Sequence, residues 1–278
     1  MKRVIALLFS LAISIGVYSQ RKITGTVQNS DNEPLAYVNV GFIGTTIGTI
    51  SDEYGNFELS YKTGSISVTD SLRFSMIGYH PQTIPIDKLD SKIEIFLRRQ
   101  VFELEEIEVL FGGLKQKRIG QFNTSVLNMG CNFSLSDYEN QNIGSEIGKK
   151  FIITKSTLVD SLRFFVLHNN YDTVGFRINI YSVKANRPHI NLLTQDVIFE
   201  INEKATGWIV VDLTTYKINV EDNIIVSLQW IYKSESGNVL SLPISMPTPY
   251  THYYKYGCQN NWKRFKSMTT RMKLDVRN

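Results

Sequence analysis

From Ile23 to Val109 apolar and polar residues alternate with a period of two, and helical spacing is missing. Val38, Val40 and Phe42 alternate with Asn39 and Gly41, Ile93, Ile95 and Leu97 with Glu94 and Phe96, and Ile107 and Val109 with Glu106 and Glu108. That period places successive side chains on opposite faces of a pleated strand, so it predicts short, half-buried strands. Turn chemistry separates them: Asp31-Asn32-Glu33-Pro34, then Asp52-Glu53-Tyr54-Gly55-Asn56. Asp52 is expected to accept backbone amides across its turn, and Gly55 to supply a positive φ without a Cβ penalty. Gly78 is expected to bend the chain after a central strand, leaving Tyr79 to close one end of the layer.

The remainder is again strand-rich. Ser156 to Leu167, Thr173 to Val183, Gly207 to Leu213 and Asn223 to Trp230 carry β-branched and aromatic residues in alternation or in continuous apolar runs. Phe176, Ile178 and Ile180 point one way and Arg177, Asn179 and Tyr181 the other, which predicts one core face and one wet face. Two all-β sandwich domains follow, each long enough to bury a core.

The first region carries a succession of signals: Ile23-Thr24-Gly25-Thr26-Val27, Glu33-Pro34-Leu35-Ala36-Tyr37-Val38-Asn39-Val40, Gly48-Thr49-Ile50-Ser51-Asp52-Glu53-Tyr54-Gly55-Asn56-Phe57 and Ser75-Met76-Ile77-Gly78-Tyr79. It resembles the carboxypeptidase-regulatory-like domain, a transthyretin-like Greek-key sandwich common on exported proteins of Bacteroidetes-type bacteria. That resemblance implies an accessory module with a scaffold or docking role in the envelope. In the second region Phe176-Arg177-Ile178-Asn179-Ile180-Tyr181 and Gly207-Trp208-Ile209-Val210-Val211-Asp212-Leu213 are loosely similar to jelly-roll carbohydrate-binding or galactose-binding-like sandwiches.

The first 19 residues have a basic start at Lys2 and Arg3, an apolar run from Val4 to Val17 and a small residue at Ser19. They read as a secretory signal peptide, directing the chain to the periplasm, cell surface or medium. The run is shorter than the ~20 residues a membrane helix needs, and no second one follows, so no transmembrane segment is expected in the mature chain. Domain boundaries fall at 20–110 for the first sandwich, 111–120 for a linker marked by Gly112, Gly113 and Lys115-Gln116-Lys117-Arg118, and 121–278 for the second. The formal charge is +4, from 30 Lys+Arg and 26 Asp+Glu. A balance this mild does not indicate a nucleic-acid partner. Cys131 and Cys258 both lie in the exported part, where an oxidising compartment permits a disulfide or leaves two buried thiols.

Common catalytic patterns are missing. A zinc carboxypeptidase needs a glutamate three residues after a histidine, and His80, His168, His189 and His252 are followed there by Thr83, Tyr171, Leu192 and Lys255. No H-E-x-x-H pair, nucleophile elbow, P-loop or C-x-x-C occurs, so no metal or cofactor is implied and a non-catalytic protein is expected. A hydrolase would require carboxylates such as Asp160, Asp172, Asp212 and Glu235 to converge. The candidate binding segment is aromatic: Tyr250, His252, Tyr253, Tyr254 and Tyr256, then Trp262, Lys263 and Arg264. Rings stack on sugar faces and cations bind anionic groups, so these residues form either a platform for a glycan or other envelope component, or the core of a closing hairpin. The rival expectation is an adaptor docking onto a membrane-protein complex.

Overall fold

The computed structural model describes residues 20–62, 64–67, 69–100, 114–120, 129–133 and 143–278. The leader, the alternating Ile107–Val109 segment and the first part of the expected linker lie outside them.

The N-terminal strands are β1 (Gln20–Asn29), β2 (Asn39–Phe42), β3 (Gly48–Ile50), β4 (Asn56–Lys62), β5 (Ser71–Ser75), β6 (Gln82–Pro85) and β7 (Lys92–Leu97). They form two sheets, β4-β1-β7 and β3-β2-β5-β6, antiparallel except where β1 meets β7. Val27, Val38, Val40, Phe42, Phe74 and Ile95 fill the space between the sheets. At the turn into β4, Asp52 Oδ1 accepts the amides of Tyr54 at 2.9 Å and Asn56 at 2.8 Å. Gly55 adopts φ 77°, and a Cβ there would sit 2.5 Å from the Val27 carbonyl oxygen. Gly55→Ala is therefore expected to cost about 2–3 kcal/mol, from a left-handed non-glycine residue plus a backbone clash. Urea denaturation read by circular dichroism checks this, and an unshifted midpoint would remove the strain argument.

The second sandwich contains β8 (Gln116–Ile119), β9 (Met129–Asn132), β10 (Glu146–Phe151), β11 (Thr157–Val166), β12 (His168–Asn169), β13 (Thr173–Lys184), β14 (Arg187–Asn191) and β15 (Val197–Asn202). It continues through β16 (Gly207–Asp212), β17 (Asn219–Val220), β18 (Ile224–Lys233), β19 (Leu240–Ser245), β20 (Thr251–Lys255), β21 (Lys263–Lys266), β22 (Thr269–Thr270) and β23 (Met272–Arg277). One layer is the sheet β14-β13-β18-β10-β20-β21, with β15 added to β13. It faces β16-β11-β23-β8, and a third sheet carries β12-β19-β22 with β9. Phe176, Ile178, Val226, Leu228 and Trp230 meet Leu162, Phe164, Met272 and Leu274 in one continuous core.

Two expectations are corrected here. Gln116–Ile119, placed in the linker, is a strand hydrogen-bonded to the C-terminal strand β23. Its Lys117 and Arg118 carry a solvated pattern, but the backbone finds a free sheet edge and saturates it. The second correction concerns the face of β13 expected to be wet. Side chains do alternate, yet Arg177 is 1% exposed and Asn179 3% exposed, because the N-terminal sandwich covers that face.

Candidate ligand cleft between the two sandwiches

Strand alternation divides the predicted aromatic segment. In β20, His252 and Tyr254 project to one side and Tyr253 and Lys255 to the other. On the first side Tyr254 stacks on Phe265 with ring centres 5.3 Å apart, and lies 5.8 Å from His252 and 5.2 Å from Tyr256. His252 is buried, with Cys131 Sγ 3.5 Å from its Nε2, and burial pushes its pKa down to about 4. Tyr250 sits beneath the Lys149 ammonium, 4.9 Å from its ring centre. Lys263 is exposed. On the second side Tyr253 is fully buried and donates to Asn186 Oδ1 at 3.1 Å, and Arg264 donates to the Asn186 carbonyl at 3.2 Å. The eight residues therefore do not form one platform. A Tyr253 substitution would disturb packing instead of removing an exposed ring.

Of the two outcomes open to the cysteines, the structure shows the buried thiols. Both cysteines are free and buried, because they stand in different places: Cys131 pairs with Leu242 in the β9–β19 ladder, whereas Cys258 packs against the other sandwich, 3.3 Å from the Val40 carbonyl oxygen and 3.5 Å from that of Thr49. Burial pushes both thiols up to about 11.

Cys258 marks a seam built mainly of polar groups. Arg177 donates Nη2 to the Tyr37 carbonyl at 2.6 Å, Nη1 to Gln229 at 3.0 Å, and pairs with Asp196 at 3.0 Å. Gln229 Nε2 donates to Asn39 Oδ1 at 2.7 Å, and Gln259 Nε2 to Ser75 Oγ at 2.7 Å. Tyr37 stacks on Tyr232, centroids 5.4 Å apart. Backbones also approach closely: Gly44 N–H donates to the Gln259 carbonyl at 3.0 Å, and a Cβ on Gly48 would lie 2.8 Å from Cys258 Sγ.

Beside this seam opens a cleft of about 580 Å³, walled by both sandwiches. Its floor holds a second buried ion pair, Lys255 to Glu146 at 2.6 Å. Glu146 also accepts from Ser227 at 2.8 Å and Tyr181 at 3.1 Å. Burial, with the Glu146 carboxylate alongside, raises the Tyr181 pKa well above its ordinary value, which keeps the phenol a donor. Trp262 stands over this group, edge-on to Tyr181 at 5.6 Å with the Lys255 ammonium 5.2 Å from its ring. Asn39, Asn179, Asn191 and Gln259 add amides, and Gly78 and Tyr79 reach the rim from the N-terminal side. Gly78 has φ 82°, and the Tyr79 amide closes the turn onto the Met76 carbonyl at 3.2 Å.

Of the predicted binding residues, Trp262 alone lines this cleft. Sequence reasoning missed Arg177, Glu146, Gln229 and Lys255. For Arg177 and Gln229 the signal was a charge or amide set into strands otherwise rich in β-branched residues, which marks a polar face without saying what covers it. Of the acids considered for hydrolysis, Asp160 and Asp212 share a separate groove of about 530 Å³ with Asp275. Asp160 is held by Arg277 at 2.9 Å. Asp275 contacts Arg118 and Arg163 at 2.5 Å each. Its pKa falls to about 2: burial opposes ionisation, but hydrogen bonds from Arg118, Arg163 and Ser161 outweigh it. Asp212 caps Thr214, whose backbone and hydroxyl lower its pKa. Asp172 pairs with Lys204 at 3.1 Å and Glu235 lines another groove.

Residues 23–109 match the family described as the CarboxypepD_reg-like domain. The N-terminal sandwich is a CarboxypepD_reg-like domain. The chain is 34% identical over 117 residues to the TonB-dependent receptor SusC of Bacteroides thetaiotaomicron, covering 42% of this chain and 11% of the receptor. It is 32% identical over 115 residues to the TonB-dependent receptor P39 of Formosa agariphila, covering 41% and 10%. The chain thus spans about a tenth of the length of these curated relatives. Among solved structures, the cysteine protease and lectin-like domains of Cwp84 from Clostridium difficile give 11% identity over 49% of this chain and 32% of that one. The TM-score of 0.37 is too low to establish a common fold. The CarboxypepD_reg-like domain therefore supplies Asn39, Ser75 and Tyr79 to the cleft, while its charged floor comes from the second sandwich.

Proposed function

We propose that this protein is a non-catalytic binding protein of the cell envelope, exported by its leader to the periplasm or cell surface, and that the cleft between its sandwiches takes a glycan. The second sandwich, of jelly-roll type, provides the binding floor. The carrying observation is the cleft's chemistry: amides of Asn39, Asn179, Asn191 and Gln259 from both sandwiches, a buried Lys255–Glu146 pair, and the Trp262 ring over it. Amides both donate and accept, as sugar hydroxyls do, and an indole face covers the apolar face of a pyranose.

Titration calorimetry with a panel of neutral and acidic oligosaccharides tests the reading. Trp262→Ala should weaken binding by about tenfold or more with the fold intact, since a stacked ring contributes on the order of 1–2 kcal/mol. Tyr254→Ala, on the opposite face of the sheet, should leave it unchanged. Absence of heat with every sugar at millimolar concentration would refute the reading. The likeness of the first sandwich to part of two TonB-dependent receptors favours a second reading, an adaptor in an outer-membrane complex. It predicts a stoichiometric membrane protein retained through moderate salt on affinity purification from envelope fractions.

A further inference from the structure

We propose that the glycan taken by the cleft is acidic, and that Arg73 pairs with its carboxylate or sulfate group. This inference rests on the glycan reading of the cleft and narrows it to one ligand class. Arg73 belongs to β5, in the first sandwich. Alternation along that strand buries Leu72 and Phe74 in the first core, so Arg73 and Ser75 face the second sandwich. Ser75 shows where that face lies, because its Oγ accepts from Gln259 across the seam at 2.7 Å. Arg73, half-buried, lines the cleft with it.

The other charges at the cleft are already engaged. Glu146 accepts from Lys255 at 2.6 Å, Ser227 at 2.8 Å and Tyr181 at 3.1 Å, and Arg177 is held by Asp196 and Gln229, each at 3.0 Å. Arg73 differs from both. Its cross-strand partners are Gly41 and Thr83, and two places along β5 on either side stand Ser71 and Ser75, so its own sheet face brings it no acid. Among the described residues no ion pair includes it. Arg177 cancels against Asp196 and Lys255 against Glu146, which leaves the Arg73 guanidinium uncompensated.

That charge separates the ligand classes. A cationic sugar would meet a guanidinium and an acid whose oxygens are taken, and a neutral sugar would leave the guanidinium without a counter-charge. An anionic sugar supplies one. The planar fork of N–H donors matches carboxylate or sulfate oxygens two at a time, and such charge-assisted bonds are roughly twice as strong as neutral ones. Trp262, Asn179 and Asn191 then hold the ring from the second sandwich, while Arg73 holds the anionic substituent from the first.

Titration calorimetry on the whole protein tests this with sugar pairs that differ only in charge: an oligogalacturonate against its methyl ester, and a sulfated galactose oligomer against its desulfated form. The charged member of one pair should bind about tenfold more tightly than its neutral counterpart, and the advantage should shrink as salt is raised. The pair that shows it identifies the anionic group. Arg73→Gln should abolish the advantage and leave the neutral member's affinity unchanged, and Arg73→Lys should restore part of it. Trp262→Ala should weaken both members alike, which separates stacking from charge. Circular dichroism is the folding control, and the paired sugars with the salt series decide on the parent alone should the glutamine variant misfold. Equal affinities within both pairs, or a preference for the charged sugar that survives Arg73→Gln, would overturn the role of Arg73 and leave a glycan cleft standing. No heat with any sugar would remove the glycan reading and this inference with it.

Discussion

Arg177→Leu is expected to lower stability by about 3–5 kcal/mol, because removing one member of a buried ion pair strands the other. Arg177 is 1% exposed and Asp196, its partner at 3.0 Å, remains largely enclosed in its absence. The same substitution leaves the Tyr37 carbonyl and Gln229 Oε1 without a donor. Since Tyr37 belongs to the other sandwich, the effect extends to coupling between the domains. All three tryptophans, Trp208, Trp230 and Trp262, lie in the second sandwich. Fluorescence therefore follows that half, and far-ultraviolet circular dichroism follows both. The two urea curves should coincide in the parent and separate in the variant. Arg177→Lys should recover little, since an ammonium cannot reach Asp196, Gln229 and Tyr37 together as a planar guanidinium does. Coincident curves with an unshifted midpoint would mean the seam does not couple the domains.

Acid should destabilise the folded chain through His252. Burial lowers its pKa from 6.5 to about 4, so between these values the unfolded chain binds a proton that the folded chain refuses. Its contribution is fully present above pH 6.5 and is lost as pH falls toward 4, a change of about 3 kcal/mol. Nothing nearby offsets the charge: His252 faces Cys131, whose thiol is neutral, stacks on Tyr254, and lies opposite the buried Lys149 in the β10–β20 ladder. His252→Gln should flatten the stability profile between pH 6.5 and 4, even at some cost in packing at neutral pH. Chemical denaturation across that range is the measurement, and an equally steep variant would exclude His252 as the origin. Protonation of Asp275, with a pKa of about 2, acts only at lower pH.

The strands were legible because the period-two pattern is local. Val38 to Phe42, Ile93 to Leu97 and Phe176 to Tyr181 alternate in sequence as in the folded chain, where each apolar set turns inward. The candidate site was much less legible. Tyr250 to Arg264 is dense in rings, but hydrophobic composition does not reveal which sheet covers which face. Alternation sends His252 and Tyr254 one way and Tyr253 and Lys255 the other, so proximity in sequence becomes separation in space.

By itself the sequence determined the all-β architecture, the turn at Asp52 and Gly55, and the regulatory-like character of the first domain, since each rests on neighbouring residues. Only the tertiary structure decided that Arg177 and Asn179 are buried, that Cys131 and Cys258 stay apart, and that Gln116–Ile119 is a strand. A polar strand face is equally suited to water and to a complementary polar surface. Which one it meets depends on how the second sandwich is placed, through contacts such as Gln229 with Asn39, 190 residues apart in the chain.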